Sequence, residues 1–430
     1  MAEQTVEVDL GFTNPYRPGA GHMPPYLAGR EREYEVFDGL LAQDPVLENL
    51  ILTGLRGVGK TVLLETFKPR AVKAGWNWVG TDLSQSASVS EDNLAVRVMT
   101  DLAVVTSAMS VPTPTPAGFG FGQQQAPATT DIPLSYQVLR QIYENAPGLV
   151  ADKLKSLLTF VAMQMKAQYG HSRVVFAYDE AQNLSDNHSR EEYPLSTLLD
   201  VFQYLQREQI PFMLVLTGLP TMFSKLVEAR TYSERMFRVV TLGRLERSDA
   251  REAIIKPLDT ASCPIRFRDE TIEDICQRSG GYPYFIQFIC REVFDVWISQ
   301  MSMGKDPTVH IDAIQARLDD DFFAGRWERA TDRQRDLLWV IAHVDEPDAE
   351  FSISEIVEKA RVLLPKPFSS SHASQMLASL IERGLVHKNR FGKYSFAVPL
   401  LAGFILRTHE ASKDAFMFAD IIIEDDDAEN

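Results

Sequence analysis

The sequence predicts an α/β core built on a parallel sheet, followed by a helical lid and then a unit of three helices and a hairpin. Three observations carry that expectation. Short apolar runs recur at Leu50–Thr53, Asn77–Asp82, Val174–Tyr178, Phe212–Thr217 and Val239–Leu242, separated by helical stretches, which is how a parallel sheet buried on both faces reads. The first run leads directly into a glycine-rich turn and a helix. Beyond about residue 243 the strand signals stop and helical periodicity takes over.

The turn after the first strand is Gly54-Leu55-Arg56-Gly57-Val58-Gly59-Lys60-Thr61, a G-x-x-x-x-G-K-T pattern. Its glycines let successive backbone N–H groups wrap a triphosphate without Cβ clashes. Lys60 reaches the β- and γ-phosphates in such a loop, and the Thr61 hydroxyl ligates Mg²⁺. Val62 continues into a helix whose first N–H groups face the phosphates. A second signal is Val174-Val175-Phe176-Ala177-Tyr178-Asp179-Glu180-Ala181-Gln182, an apolar strand ending in two acids. Asp179 is the expected metal-shell residue, and Glu180 the expected general base for in-line attack on the γ-phosphate. ATP and Mg²⁺ are the cofactors these two segments imply together.

The remaining organisation follows from composition. At 430 residues the chain is long enough for about two to four domains. Residues 1–25 are rich in Pro and Gly and read as a flexible N-terminal arm. The core is expected over 26–243, interrupted at 112–130 by a Pro/Gln-rich stretch that reads as a disordered surface insertion. Helices are expected at Arg247–Ala261, Asp269–Arg278 and Tyr284–Gln300 in a lid spanning 244–325. In 326–410 they are expected at Thr331–Ala342, Ser354–Leu363 and Ser371–Arg383, the last capped by the run Ser369-Ser370-Ser371. Leu385–Asn389 and Tyr394–Val398 flank Arg390-Phe391-Gly392-Lys393 as a hairpin. Residues 411–430 form an acidic tail.

The start of the chain is acidic and lacks a hydrophobic leader, and no apolar stretch is long enough to cross a bilayer. Cys263, Cys276 and Cys290 are widely spaced and read as buried apolar residues of a reducing compartment, so a cytoplasmic location is expected. The net charge of −16 argues against a general attraction of the whole surface to nucleic acid. Against that background, residues 359–407 carry eight Lys or Arg and one acid, Glu382.

Several segments resemble the P-loop ATPases of the AAA+ and STAND type. Tyr26-Leu27-Ala28-Gly29-Arg30-Glu31 resembles the box that precedes the loop in those proteins, which places Arg30 near the adenine. Phe212–Pro220 resembles the sensor-1 strand, with Thr217 at the position that feels the γ-phosphate; simple strand termination is the alternative. Tyr232–Arg238 lies where the family often carries an arginine finger, which implies that Arg235 or Arg238 serves a neighbouring subunit's site in a homo-oligomer. Surface or ion-pair roles are the alternative for both arginines.

Gly281-Tyr282-Pro283 matches the G-x-P signature of the archaeal-type and STAND members, in which the proline packs on the nucleotide. Tyr284 stands where initiators of the family have a sensor-2 arginine. That departure implies a slow, switch-like ATPase. Residues 326–410 resemble a winged helix-turn-helix, so Ser371, His372, Ser374 and Gln375 on the third helix, with Lys388, Arg390 and Lys393 in the wing, are the candidate contacts to double-stranded DNA. Two functions remain open: an initiator-like switch that engages DNA, and a signalling or defence regulator whose winged helix packs internally or on a protein partner. A helicase reading of Asp179-Glu180-Ala181-Gln182 fails for want of a second core.

Overall fold

The computed structural model describes residues 13–19, 21–114, 129–263, 266–305, 308–344, 350–389 and 392–408. The chain divides into two compact units, one of Arg30–Gly54 with Lys60–Leu242 and the other of Met1–Gly29, Leu55–Gly59 and Gly243–Asn430.

The first of these is the sheet unit. Its strands are β1 (Asn49–Gly54), β2 (Asn77–Val79), β3 (Ser110–Pro114), β4 (Thr129–Pro133), β5 (Val174–Tyr178), β6 (Phe212–Gly218) and β7 (Phe237–Leu242). Five of them form one sheet in the order β2-β5-β6-β1-β7, and every pairing in it is parallel. Val174, Phe176 and Tyr178 of β5 and Phe212, Leu214 and Leu216 of β6 join one apolar cluster with the helices Glu91–Thr106, Val150–Tyr169 and Pro194–Arg207. The intervening Val175, Ala177, Met213 and Val215 are buried as well, so both faces are covered. That is why these strands read as continuous apolar runs and not as alternating ones. The edge strand β7 is the exception, with Arg238, Val239 and Thr241 exposed. Gly80, just past β2, has φ +124°, and a Cβ there would sit 1.9 Å from the Ala177 carbonyl oxygen. Only glycine lets the chain pass so close to β5.

The stretch 112–130 requires a correction. Residues 110–114 and 129–133 pair antiparallel, with Val111 opposite Ile132 and Thr113 opposite Thr130. The ends of the expected disordered insertion are therefore strand; β-branched residues at register positions outweigh the prolines there. Residues 115–128 lie outside the described residues.

The other unit is helical. Its helices include Arg247–Thr260, Asp269–Ser279, Pro283–Ser302, Ile311–Leu318, Asp332–Ala342, Ile353–Leu363 and Ser370–Glu382, and the strands β8 (Val386–Lys388) and β9 (Tyr394–Phe396) close it as an antiparallel hairpin. Ser369 caps the helix that follows, its side chain accepting the His372 amide at 3.2 Å. Thr331 and Ser352 open theirs with capping boxes to Gln334 and Glu355. One apolar cluster runs from Leu245 to Ile405, so the segments 244–325 and 326–410 share a core; the stacked rings of Phe323 and Phe404, 5.3 Å apart, lie within it.

The arm also departs from expectation. Tyr16 is 2% exposed, sits 6.2 Å from the Phe267 ring and donates its hydroxyl to the Ile254 carbonyl. Asn14 donates to Asp295 at 2.7 Å and the Arg17 amide donates to Gln287 at 3.0 Å. Burial of one aromatic ring, which removes about 150–250 Å² from water, outweighs the Pro/Gly composition of the segment. Residues 1–12, Arg390, Phe391 and the tail from 409 onward lie outside the described residues.

Candidate functional site: a phosphate-loop strand edge

Strands β5, β6 and β1 are neighbours, and the chain leaves all three at the same edge of the sheet. Open α/β sheets bind ligands in the crevice beyond their carboxyl ends, where strand order switches. β1 ends at Gly54, and the helix Lys60–Lys73 starts with Lys60 itself. Between them Gly57 and Gly59 have φ +81° and +91°, left-handed values that the loop requires and that a side chain would strain.

Asp179 is the centre of the polar arrangement at this edge. It is 4% exposed. Its Oδ2 accepts the Thr61 hydroxyl at 2.5 Å. Its Oδ1 accepts the Thr217 hydroxyl at 2.7 Å and the Glu180 amide at 2.7 Å. Three donors from three chain segments thus fix one carboxylate in a single orientation. Lys60 Nζ donates to the Gly54 carbonyl at 2.9 Å, across the loop that it closes. The sequence-predicted residues Lys60, Thr61, Asp179 and Thr217 are therefore brought together.

Glu180 is exposed and follows Asp179 with φ +52°, which turns its side chain out of the strand direction. Its carboxylate accepts the Gln182 side-chain amide. Sequence reasoning assigns Gln182 no role, yet it belongs to the site. Its Oε1 accepts the Leu219 amide at 3.1 Å, so one side chain links the acid after β5 to the loop after β6. The one signal for it in the sequence is its position three residues beyond Asp179. Lys225, whose ammonium donates to the Gln182 carbonyl at 3.0 Å, is pushed below the usual lysine range by burial.

Of the other candidates, Arg30 and Arg238 are held by contacts of their own. Arg30 is buried and pairs with Glu33 at 3.6 Å. Arg235 is exposed on the short helix Ser233–Met236 and makes no side-chain hydrogen bond or ion pair with another described residue. The turn before it is fixed, because Arg230 donates two 3.0 Å bonds to Asp200 and Tyr232 donates a third at 2.5 Å. Arg238 instead pairs with Glu48 at 3.3 Å.

In the helical unit, Pro283 occupies the first turn of its helix, where a missing N–H costs nothing. The next residue, Tyr284, donates its amide to the Gly57 carbonyl at 3.2 Å, so the crest of the loop is bonded to that helix within one unit. Ser371, His372, Ser374 and Gln375 are all exposed on Ser370–Glu382, and Lys388 and Lys393 are exposed at the hairpin. Arg407, counted in the basic segment, is neutralised by Asp319 at 2.7 and 2.9 Å.

Among the described residues no group of three or more His, Cys, Asp or Glu gathers to hold a metal by protein ligands alone, and no helix is long and apolar enough to cross a membrane. The donors at Thr61 and Asp179 fit magnesium, which takes one or two protein oxygens and completes its shell with water and phosphate.

Residues 320–405 match a family described as "Domain of unknown function (DUF8462)". No curated protein sequence matches the chain. The fold is similar to that of a Walker-type ATPase of Pyrococcus abyssi, with a TM-score of 0.55 and 15% identity, over 88% of this chain and 96% of that one. It is also similar to the ORC2 protein of Aeropyrum pernix, solved as ADPNP–ADP complexes, with a TM-score of 0.51 and 14% identity over 92% and 98%. The chain thus has an α/β P-loop NTPase core with a parallel sheet, followed by helical segments.

Proposed function

We propose that this chain is an AAA+-type ATPase switch that binds ATP with Mg²⁺ on Gly54–Thr61, hydrolyses it slowly, and couples its nucleotide state to DNA through a winged helix at 326–410. The observation that carries the ATP-binding reading is the Thr61–Asp179–Thr217 arrangement at the carboxyl ends of β1, β5 and β6. In it a buried carboxylate and a hydroxyl lie 2.5 Å apart at the start of a helix. Bound magnesium would lie against Thr61 and Asp179 and neutralise charge on the β- and γ-phosphates. Lys60 releases the Gly54 carbonyl and turns to the phosphates; the helix N-terminus and loop amides hold the rest of the triphosphate. Glu180 takes the proton of the attacking water, with Gln182 restraining the carboxylate until substrate is in place. Arg30 is the residue proposed beside the adenine.

Slow turnover rests on Tyr284 standing where a cation would be expected. An arginine finger would come from Arg235 of a neighbouring copy, which the exposure and lack of partners of that side chain among the described residues support. The Tyr284–Gly57 bond supports a lid whose helix responds to the loop. ORC2 of Aeropyrum pernix, similar in fold, was solved with ADPNP and ADP, which supports nucleotide binding; a signalling regulator with an internally packed winged helix is the alternative reading.

The test is nucleotide binding and phosphate release by Lys60→Ala and Glu180→Gln. Lys60→Ala is expected to lose ATP binding, and Glu180→Gln to retain binding and lose turnover. Unaltered ATP affinity in Lys60→Ala would overturn the site.

A further inference from the structure

We propose that the helical unit holds a second anion site, made by Arg56, Arg326, Arg329 and Arg383, which takes a compact diphosphate group separate from the triphosphate on Gly54–Thr61. It deepens the phosphate-loop reading only in that Arg56 belongs to that loop. These four arginines, with Asp321, Phe322 and Gly325, line a cavity of about 310 Å³.

The charge balance within that cavity is the main argument. Arg56, Arg329 and Arg383 make no side-chain hydrogen bond or ion pair with another described residue. Arg326 bonds to the Phe322 carbonyl and lies 4.3 Å over the Phe322 ring. The single acid of the lining, Asp321, faces Arg317 at 3.7 Å. Four guanidinium groups therefore converge without a counter-ion among the described residues. Elsewhere in the unit arginines meet carboxylates, as Arg251 does with Asp269 and Glu273, Arg278 with Asp274 and Asp312, and Arg407 with Asp319.

Arg56, Arg329 and Arg383 are exposed and Arg326 is half-buried, so solvent screens part of their mutual repulsion and a bound anion would relieve the rest. Burial, with Arg56 and Arg329 beside it, holds the Arg326 guanidinium below the ordinary arginine range. Planar guanidinium forks suit phosphate oxygens, which they bind two at a time. The cavity has room for two linked phosphates and their waters, while a whole nucleotide would project into solvent.

The position favours a diffusible ligand over a DNA strand. Arg383 follows the C-terminal end of Ser370–Glu382, whereas Ser371–Gln375 open it. At the rise of an α-helix those residues are roughly 12–18 Å apart. An anion bound here would tie the loop crest at Arg56 to residues 326–329 and to Arg383, giving the loop a second input besides nucleotide.

The experiment is a calorimetric titration of sodium pyrophosphate at low salt into the full chain carrying Lys60→Ala, which removes the loop's own phosphate lysine. One pyrophosphate is expected to bind. Adding Arg329→Ser and Arg383→Ser is expected to weaken it at least tenfold, roughly what one or two charge-assisted hydrogen bonds contribute. Arg329→Lys with Arg383→Lys should fall between, and circular dichroism checks that all fold. No pyrophosphate binding by Lys60→Ala, or equal affinity in all variants, overturns the proposal. So does a short DNA duplex that loses affinity for Arg329→Ser/Arg383→Ser as steeply as pyrophosphate does, which would make these arginines a DNA contact. ATP titrated into Lys60→Ala separates the two readings: retained ATP affinity sinks the phosphate-loop assignment, whereas failure of pyrophosphate alone leaves that assignment standing.

Discussion

Asp179 gathers the polar contacts at the strand edge of the sheet unit, and its orientation is set by the Thr61 and Thr217 hydroxyls and the Glu180 amide. Thr217 was expected to sense a γ-phosphate, yet its hydroxyl is engaged with Asp179 and with the Tyr178 carbonyl at 3.2 Å. Its effect on turnover would then pass through Asp179. Thr217→Val keeps the shape and removes a buried hydrogen bond, so it is expected to cost about 1–2 kcal/mol of stability. Phosphate release should fall roughly tenfold, the equivalent of about 1.4 kcal/mol at the barrier, and Thr217→Ser should restore most of it. Denaturant melts and steady-state phosphate assays measure the two effects; unchanged turnover in Thr217→Val would separate Thr217 from catalysis. Asp179 and Thr61 were legible in the sequence because motif spacing encodes them. Gln182 was not, because its role depends on the loop after β6 returning to the same place.

Among the elements, the hairpin of β8 and β9 carries a titratable group in an apolar setting. His387 lies in β8 with its Nδ1 buried and without a hydrogen-bond partner among the described residues. Burial depresses its pKa below the ordinary imidazole value of 6.5, and Glu350 and the Phe396 backbone only partly oppose this. A base with a depressed folded pKa binds fewer protons in the native state than in the unfolded one. Its stabilising contribution is therefore whole above 6.5 and shrinks as pH falls from there through the folded value. Wild type should lose more stability than His387→Leu between about pH 7.5 and about pH 5.5, by up to about 1.4 kcal/mol, the worth of the roughly one unit between 6.5 and the lower pH. Urea melts at the two pH values give the comparison, and parallel losses would show that His387 titrates normally. The elements themselves were largely readable. Five apolar runs became five parallel strands, and Ser369 signalled its helix. The β3–β4 pair was missed because proline and glutamine dominate its surroundings, and Ile311–Leu318 because its apolar face is only two buried side chains wide.

On the scale of the whole chain, charge segregation governs what can approach it. An acidic protein of net charge −16 meets DNA only through a local surface. Ser371, His372, Ser374, Gln375, Lys388 and Lys393 are exposed together on one helix and one hairpin. If that surface engages the backbone, Lys388→Ala with Lys393→Ala should reduce duplex binding and lower the slope of log affinity against log salt by about two, near one unit for each phosphate no longer neutralised. Fluorescence anisotropy over a salt series measures both, and an unaltered slope would remove the hairpin from any DNA interface. Tyr16 has a consequence of another kind. The unit in which it is buried is assembled from 1–29, 55–59 and 243–430, whereas 30–54 and 60–242 make up the other. During synthesis the sheet can pair as soon as Leu242 is available, but Tyr16 must wait for Ile254, Phe267 and Cys290. Its ring remains in water for more than two hundred residues of translation, a long sequence separation of the sort that slows folding. The earliest described part of the chain is thus among the last to be housed, and a tag or truncation near Tyr16 would disturb the helical unit before it touched the sheet.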